Sequence, residues 1–441
     1  MTTHDQRAGT PQAVAERGRS RVKLYVILIL SVLAVNLVLF GLGALAGAWQ
    51  PKAWSLQIIA ALSQLNLLAA VLPRQHWMVN LLSWVATRAP TSWPLALRWK
   101  LAQYYHVGGL HVGGAIASTA WYLVYVVLLA PAWADGEAGY DDVSLGIALL
   151  VLTLLITICA LAAPGFRTRH HDVFEASHRF GTWAVLVLAW TNAFVLAKLQ
   201  APARSLGEAL LTSPIFWMLV ISTSLAIWPW LLLRRVPISV ETPSPHVAIV
   251  RLDHGFVPPV GTTRAISRSP LFGWHPFACV PAPAGEPGYR MVISRAGGWT
   301  SKFIDEPPTH IWVRGIPTAG VANAKRLFTR VLYVVTGSGI GPVLGHLLTD
   351  TQGARLVWVT KAPRETYGEA LYTEVVTAQP EAVIWNTTEN GRADVFELTL
   401  EAFHASGADA VICVSNKGVT DRVVDEFGRR GVPAFGPIWD S

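Results

Sequence analysis

The sequence predicts a membrane bundle of six helices followed by a soluble half that closes with a parallel α/β domain. Two observations carry this expectation. Six stretches free of Asp, Glu, Lys and Arg, residues 24–49, 53–72, 103–130, 143–166, 180–197 and 209–233, are near or above the ~20 apolar residues that cross a hydrocarbon core. Residues 330–348, RVLYVVTGSGIGPVLGHLL, then read as a buried parallel strand, a glycine turn and a helix.

The charged fraction of 14% is low for a soluble protein, as a bundle requires. Residues 24–49 exceed a signal-peptide core and show no cleavage site, so they are expected to be retained. Residues 1–23 read as a disordered tail. Arg7, Arg17, Arg19, Arg21 and Lys23 precede the first span, Arg74, Arg88, Arg98 and Lys100 follow the second, Arg167 and Arg169 the fourth, and Arg234 and Arg235 the sixth. Asp135, Glu137, Asp141 and Asp142 lie in the third loop. The basic ends belong inside, which places both termini in the cytoplasm of an integral inner-membrane protein. Juxtamembrane anchoring to the lipid bilayer accounts for the net charge of +7, and no nucleic-acid partner is expected. Three cysteines make no disulfide framework and no zinc spacing.

Residues 73–105, with Trp77, Trp84, Trp93 and Trp99 among basic residues, are expected at the membrane interface. The third span opens YYHVGGLHVGG, with His106 and His111 near its inner end, and the fifth opens HDVFEASHRFGTW, with His178 at the depth of His106. Histidines on facing helices can hold a haem iron, or bond backbone and water. His106 and His111 stand roughly 140° apart on a helix, so both cannot share one iron with His178. Gly108, Gly109, Gly113 and Gly114 let a helix approach either a neighbour or a flat macrocycle.

In the turn, Gly337, Gly339 and Gly341 clear side chains from the backbone amides, and Pro342 suits a first helical turn. A pyrophosphate is the natural guest, although GxGxGP is not the GxGxxG fingerprint and a plain tight turn would read the same.

HDVFEASHRFGTW resembles the fifth helix of the ferric reductase and NADPH oxidase superfamily, whose six-helix domain carries two haems between its third and fifth helices. The second histidine set of that superfamily is missing: Ala120, Tyr125, Thr191 and Asn192 stand where it would fall, so at most one inner haem b is implied. GWHPFACVP at 273–281 resembles the family's flavin-binding strand, and YRMVISRAGGWTSKF its following strand and turn. The resemblance implies FAD held at His275, Pro276, Phe277, Gly298, Trp299 and Thr300, with Ala278 and Pro281 replacing hydrogen-bonding residues of the motif. It makes the glycine turn a nicotinamide-nucleotide loop for NADPH or NADH, with Lys361 and Arg364 where a 2′-phosphate is recognised. AVICVSN resembles the strand beside the nicotinamide, with Cys413 kept, and Trp439 resembles the C-terminal aromatic that covers the flavin. Cys413 and Trp439 are thus the implied catalytic residues.

The implied architecture is a six-helix domain at 24–234 and a cytoplasmic ferredoxin reductase-like module, with an antiparallel β-barrel flavin domain at 235–325 and an α/β nucleotide domain at 326–441. Within the superfamily the motifs look most like the TmpA-type integral membrane flavoproteins. The expected reaction passes electrons from NAD(P)H through FAD to an unidentified acceptor, cytoplasmic or dissolved in the membrane. A regulator or scaffold that keeps the fold and senses nucleotide is the competing reading.

Overall fold

The computed structural model describes residues 24–137, 139–200 and 203–437, so the N-terminal tail and Trp439 lie outside the described residues. The helical half runs α1 (Leu24–Leu45), α2 (Ala53–Val71), α3 (His76–Ala86), α4 (Leu95–Leu101), α5 (Gly108–Ala134), α6 (Asp142–Leu161), α7 (Pro164–Arg169), α8 (His171–Gln200), α9 (Leu206–Leu211) and α10 (Pro214–Leu231). Among the described residues, six helices are long and apolar enough to cross a membrane: α1, α2, α5, α6, α8 and α10, with short helical extensions of α2 and α5.

Charge and proline set the limits of two helices. The fifth span begins at His171, where HDVFEASHRFGTW opens, so α8 extends ahead of the uncharged run 180–197; Asp172, Glu175 and Arg179 are helical as well as charged, and Arg179 pairs with Glu175 one turn away. The sixth breaks at Ser213–Pro214 into α9 and α10, since proline lacks the amide a continuing helix needs. The core of the bundle lies where α2, α5 and α6 meet, around Leu56, Ile59, Trp121, Tyr125 and Leu152. Asn36 of α1 and Asn66 of α2 exchange amide hydrogen bonds, and Trp121 Nε1 donates to Asn36 Oδ1.

The glycine stripe of α5 serves helix packing. A Cβ on Gly109 would stand 2.4 Å from Tyr25 O of α1, one on Gly113 3.0 Å from Val32 Cβ, and one on Gly114 2.8 Å from Asn66 O of α2. These glycine faces are therefore filled by neighbouring helices, not by a macrocycle.

Residues 73–105, expected at the membrane interface, also clamp the two halves together. Asn80 receives the Ala319 amide and donates to Pro317 O, Tyr104 donates to Gly320 O, and buried Arg98 donates to Leu327 O. Ala89 and Ala102 are buried in the core of the nucleotide domain, with Trp99 and Tyr105 against it. An Arg–Trp-rich composition suits an interface of either kind, and contacts 200 residues away cannot be read locally.

The soluble half begins directly after α10. Its strands β1 (Arg234–Ser244), β2 (Val247–Leu252), β3 (Thr262–Ser267), β4 (His275–Ala278), β5 (Val280–Pro281), β6 (Tyr289–Ser294), β7 (His310–Val313) and β8 (Thr318–Ala319) form one antiparallel sheet. Their order is β4-β3-β7-β1-β2-β6-β5, with β8 on β3, wrapped around Val250, Met291, Ile293 and Phe303 as a near-barrel. Helix α11 (Gly298–Asp305) lies between β6 and β7.

A parallel five-stranded sheet follows, β9 (Val331–Thr336), β10 (Ala354–Thr360), β11 (Val383–Asn386), β12 (Ala410–Val414) and β13 (Ala434–Phe435), in the order β11-β10-β9-β12-β13. Helices α12 (Ile340–Thr349), α13 (Pro363–Tyr367), α14 (Glu369–Ala378), α15 (Thr387–Asn390), α16 (Val395–Ser406) and α17 (Lys417–Arg429) cover it. Continuous runs such as VLYVV are buried on both faces, as parallel strands between helices require. The strand order reverses between β9 and β12, which opens a crevice at their carboxyl ends.

Candidate functional site

The glycine turn lies at that crevice. Gly337 adopts φ +49°, and its carbonyl accepts from Trp358 Nε1 at 3.1 Å. Across the strand ends, Thr336 Oγ1 and Ser415 Oγ stand 2.5 Å apart. Gly339 is buried, and a Cβ there would reach 2.1 Å from Val414 O. Its first duty is thus to let the turn close onto β12, which the phosphate reading of this glycine overlooks. Gly341 has only ordinary contact with Val292 of β6, at 3.5 Å, and Pro342 is exposed. Residues 337–339 form a 3₁₀ turn that runs into α12, with the Ile340 amide bonded back to Gly337 O, and the helix start carries partial positive charge.

Cys413 is not at this edge. It lies one residue inside β12 with its thiol buried beside Val423 and Phe427, and burial pushes the thiol up to about 12. Strand alternation turns it toward the α16–α17 side, so the structure does not bring it to the turn and gives no contact for a catalytic role. Arg364 is engaged as well: it pairs with Glu369 and stacks on Tyr372, 4.1 Å from the ring centre. Lys361 is exposed.

The second helix start belongs to α11. Thr300 Oγ1 accepts from the amides of Ala296 and Gly297 at 2.9 and 3.1 Å, which locks the turn and leaves the first amides of the helix facing out. Cβ atoms on Gly297 or Gly298 would meet nothing within 4 Å. Trp299 packs on His275 with ring centres 4.4 Å apart and stacks with Phe277 and Phe303. Pro276, on the other face of β4, is exposed. Burial holds His275 below its ordinary value, opposed by the nearby Glu175 of α8. The open glycines and free helix amides fit the phosphates of a dinucleotide such as FAD. The aromatic face of His275, Phe277 and Trp299 fits a planar ring beside it.

Strand β6 joins the two starts. Val292 touches Gly341 at the head of α12, and six residues farther along the chain Gly298 opens α11. Arg290 of the same strand, almost fully buried, pairs with Glu374 of α14 and donates to Pro281 O, tying barrel to sheet. Sequence reading missed Arg290, Trp358 and Gly297. A buried arginine in a strand and a second glycine before GWT were the available signals.

In the bundle the histidines pair differently from expectation. His178 faces His111, with ring centres 6.0 Å apart, while His106 lies in a short 3₁₀ turn against Tyr105 at 4.7 Å. Five residues before His111, roughly 140° around the helix, His106 is off the face that meets His178. His111 Nδ1 is 3.0 Å from Ala70 O, which fixes the ring, and His178 Nδ1 is buried with no partner. An anchored imidazole opposite a second one fits axial ligation of a haem iron. No group of three or more candidate metal ligands occurs among the described residues.

Residues 321–441 match the family model described as the C-terminal domain of adenylate-forming reductase 03009. Two curated relatives from Coprinopsis cinerea, adenylate-forming reductases 03009 and 06235, are 39% and 38% identical over 378 residues, 85% of this chain. The chain spans 36% of the length of each relative. Among solved structures, a flavohemoglobin from Malassezia yamatoensis aligns over 87% of this chain and 96% of its own, with 13% identity and a TM-score of 0.39. The ferredoxin reductase of carbazole 1,9a-dioxygenase aligns over 46% of this chain and 69% of its own, with 12% identity and a TM-score of 0.36.

Proposed function

We propose that the chain is a membrane-bound flavin oxidoreductase of the TmpA type, which passes electrons from NADPH or NADH through FAD to a cytoplasmic or membrane-dissolved acceptor. The observation that carries this reading is the juxtaposition through β6 of two helix starts, one at Gly339–Pro342 and one at Gly297–Thr300. Two dinucleotides bound there by their phosphates would lie along one seam. FAD supplies hydride acceptance and the division of two electrons into single steps. The chain's part is to hold and align. The α12 amides bind the nicotinamide nucleotide, the α11 amides bind the flavin phosphates, and Trp299 with His275 and Phe277 presents the ring face. The curated relatives are named reductases, which agrees with this reading for the region they share with the chain.

His111 and His178 would hold a haem iron at the end of the bundle that faces the module. Farther along the same helices stand Tyr125 and Asn192, side by side and without an imidazole. The reading therefore ends the route in the near half of the bilayer. The competing reading is a scaffold that keeps the fold, favoured by the buried Cys413 thiol and by Ala278 and Pro281 in place of hydrogen-bonding residues.

The absorption spectrum of detergent-solubilised protein decides between them. Flavin bands that bleach on adding NADPH are expected, and a colourless preparation after FAD reconstitution would leave only the scaffold. A membrane-impermeant dye sealed in vesicles with the module outward should remain oxidised.

A further inference from the structure

The loop between β3 and β4, residues 268–274, carries Leu271 and Phe272, each 50% exposed. The loop itself is fixed. The Ser269 amide donates to Ser267 Oγ at 3.1 Å and the Leu271 amide to Ser269 Oγ at 3.2 Å, while the Ser267 hydroxyl donates to Phe272 O. Arg179 of α8 donates to the Leu271 carbonyl at 3.3 Å, which ties the loop to the bundle as well as to its own barrel. Two large apolar side chains are thereby held outward, where water is an unfavourable neighbour.

What they face follows from α8. The Phe272 ring meets that of Phe180, with centres 6.0 Å apart. Phe180 stands two residues from His178, roughly 200° around the helix, so it lies on the side opposite the histidine that faces His111 of α5. On the inner side, Gly181 and Val185 lie against α6. Phe180, Val187 and Phe194 recur every seventh residue and are 45%, 64% and 43% exposed, which makes them one stripe directed away from the bundle. On a helix long and apolar enough to cross a membrane, such a stripe meets acyl chains. Phe272 sits at its foot.

The depth is marked twice. Phe180 opens the uncharged run 180–197 directly after Arg179, and Arg234 and Arg235 end the sixth span. At this level Trp183, Trp230 and Trp274 follow one another with ring centres 6.0 and 6.3 Å apart, an aromatic cluster of the kind that marks a membrane boundary. We propose that this loop of the barrel dips into the bilayer beside α8, with Leu271 and Phe272 as its lipid contacts. The contact holds β4, and with it His275, at the membrane surface. This rests on the membrane placement of the helices and not on the redox reading.

Photocrosslinking of the full-length chain in phosphatidylcholine nanodiscs tests it, with p-benzoyl-phenylalanine placed in turn at Leu271, Phe272, Val187 and Glu401. Val187, on the outward stripe, is the lipid control, and Glu401, exposed on α16, is the aqueous one. Irradiation should add the mass of one lipid at one or both loop positions, as at Val187, and nothing at Glu401. If one loop replacement fails to fold, the other decides. Adducts at Val187 but at neither loop position overturn the proposal and leave the membrane placement standing. No adduct at Val187 removes that placement and the proposal with it. Labelling at Glu401 equal to that of the loop means contact without insertion and also overturns it. Loop adducts that disappear once FAD is added would assign the two side chains to the flavin and overturn it as well.

Discussion

The helix starts at α12 and α11 both use glycine, yet for different physical reasons. At α12, Gly337 takes a positive φ and Gly339 lies against Val414 O, where a Cβ would stand 2.1 Å away. Backbone conformation and packing demand both residues whether or not a ligand binds. At α11, Gly297 is extended at φ −171°, and Cβ atoms on it or on Gly298 would meet open space. Nothing in the folded chain needs glycine there, and the open space leaves room for the close approach of a ligand. A glycine substitution therefore tests stability at the first start and binding at the second.

The sharpest way to break this contrast is Gly339→Ala. It should cost about 1–3 kcal/mol of stability by overpacking, read as a lower thermal midpoint together with lost reduction by NADPH. Unchanged stability would mean that the turn relaxes freely and that the contrast is false. Gly298→Val should do the reverse: FAD affinity falls by about tenfold while the midpoint of the flavin-free protein stays within about 0.5 kcal/mol. A variant that keeps its flavin removes α11 from the site.

Acid should act on the packed start through a buried histidine of α12. His346, on α12, is buried against Tyr333, and burial lowers it to about 3. The unfolded chain, with His near 6.5, binds more protons than the folded one between those values. Stability is thus fully present above pH 6.5 and is lost as pH falls toward 3, by at most about 1.4 kcal/mol per pH unit from this group. Chemical denaturation at stepwise lower pH should show the slope, and His346→Gln should flatten it.

Two smaller effects complete the set. Thr300→Val removes the acceptor that locks the α11 turn and should cost about 1 kcal/mol, while Thr300→Ser should keep both stability and flavin. Arg364→Gln should leave the NADPH-to-NADH preference unchanged, because Glu369 and Tyr372 already hold that guanidinium. Lys361→Gln should lower the preference a few-fold. Coenzyme kinetics of the two variants, measured in parallel, separate the two cations.

Short-range patterns mark the membrane spans and the glycine turn. A hydrocarbon core imposes length and low charge on each span, so the six long helices were visible as six uncharged runs. The β-branched run ending in TGSGIGP placed β9, its turn and α12 close to their observed limits, because strand and glycine turn each leave a short-range pattern. At α8 the charged motif HDVFEASHRFGTW, not the apolar run, marked the helix start.

Residues fixed by distant partners were not legible. His111 rather than His106 faces His178, a choice set by how α5 packs against its neighbours and not by YYHVGGLH. Arg98 reads as a membrane-surface cation and is instead bonded to Leu327 O in the nucleotide domain. The sequence by itself determined which segments must leave water and where the backbone turns, since these follow from hydrophobic length and from glycine and proline sterics. Only the tertiary structure decided which glycines are filled by protein and which remain open, and which cations are paired. Those properties depend on atoms that arrive from elsewhere in the chain.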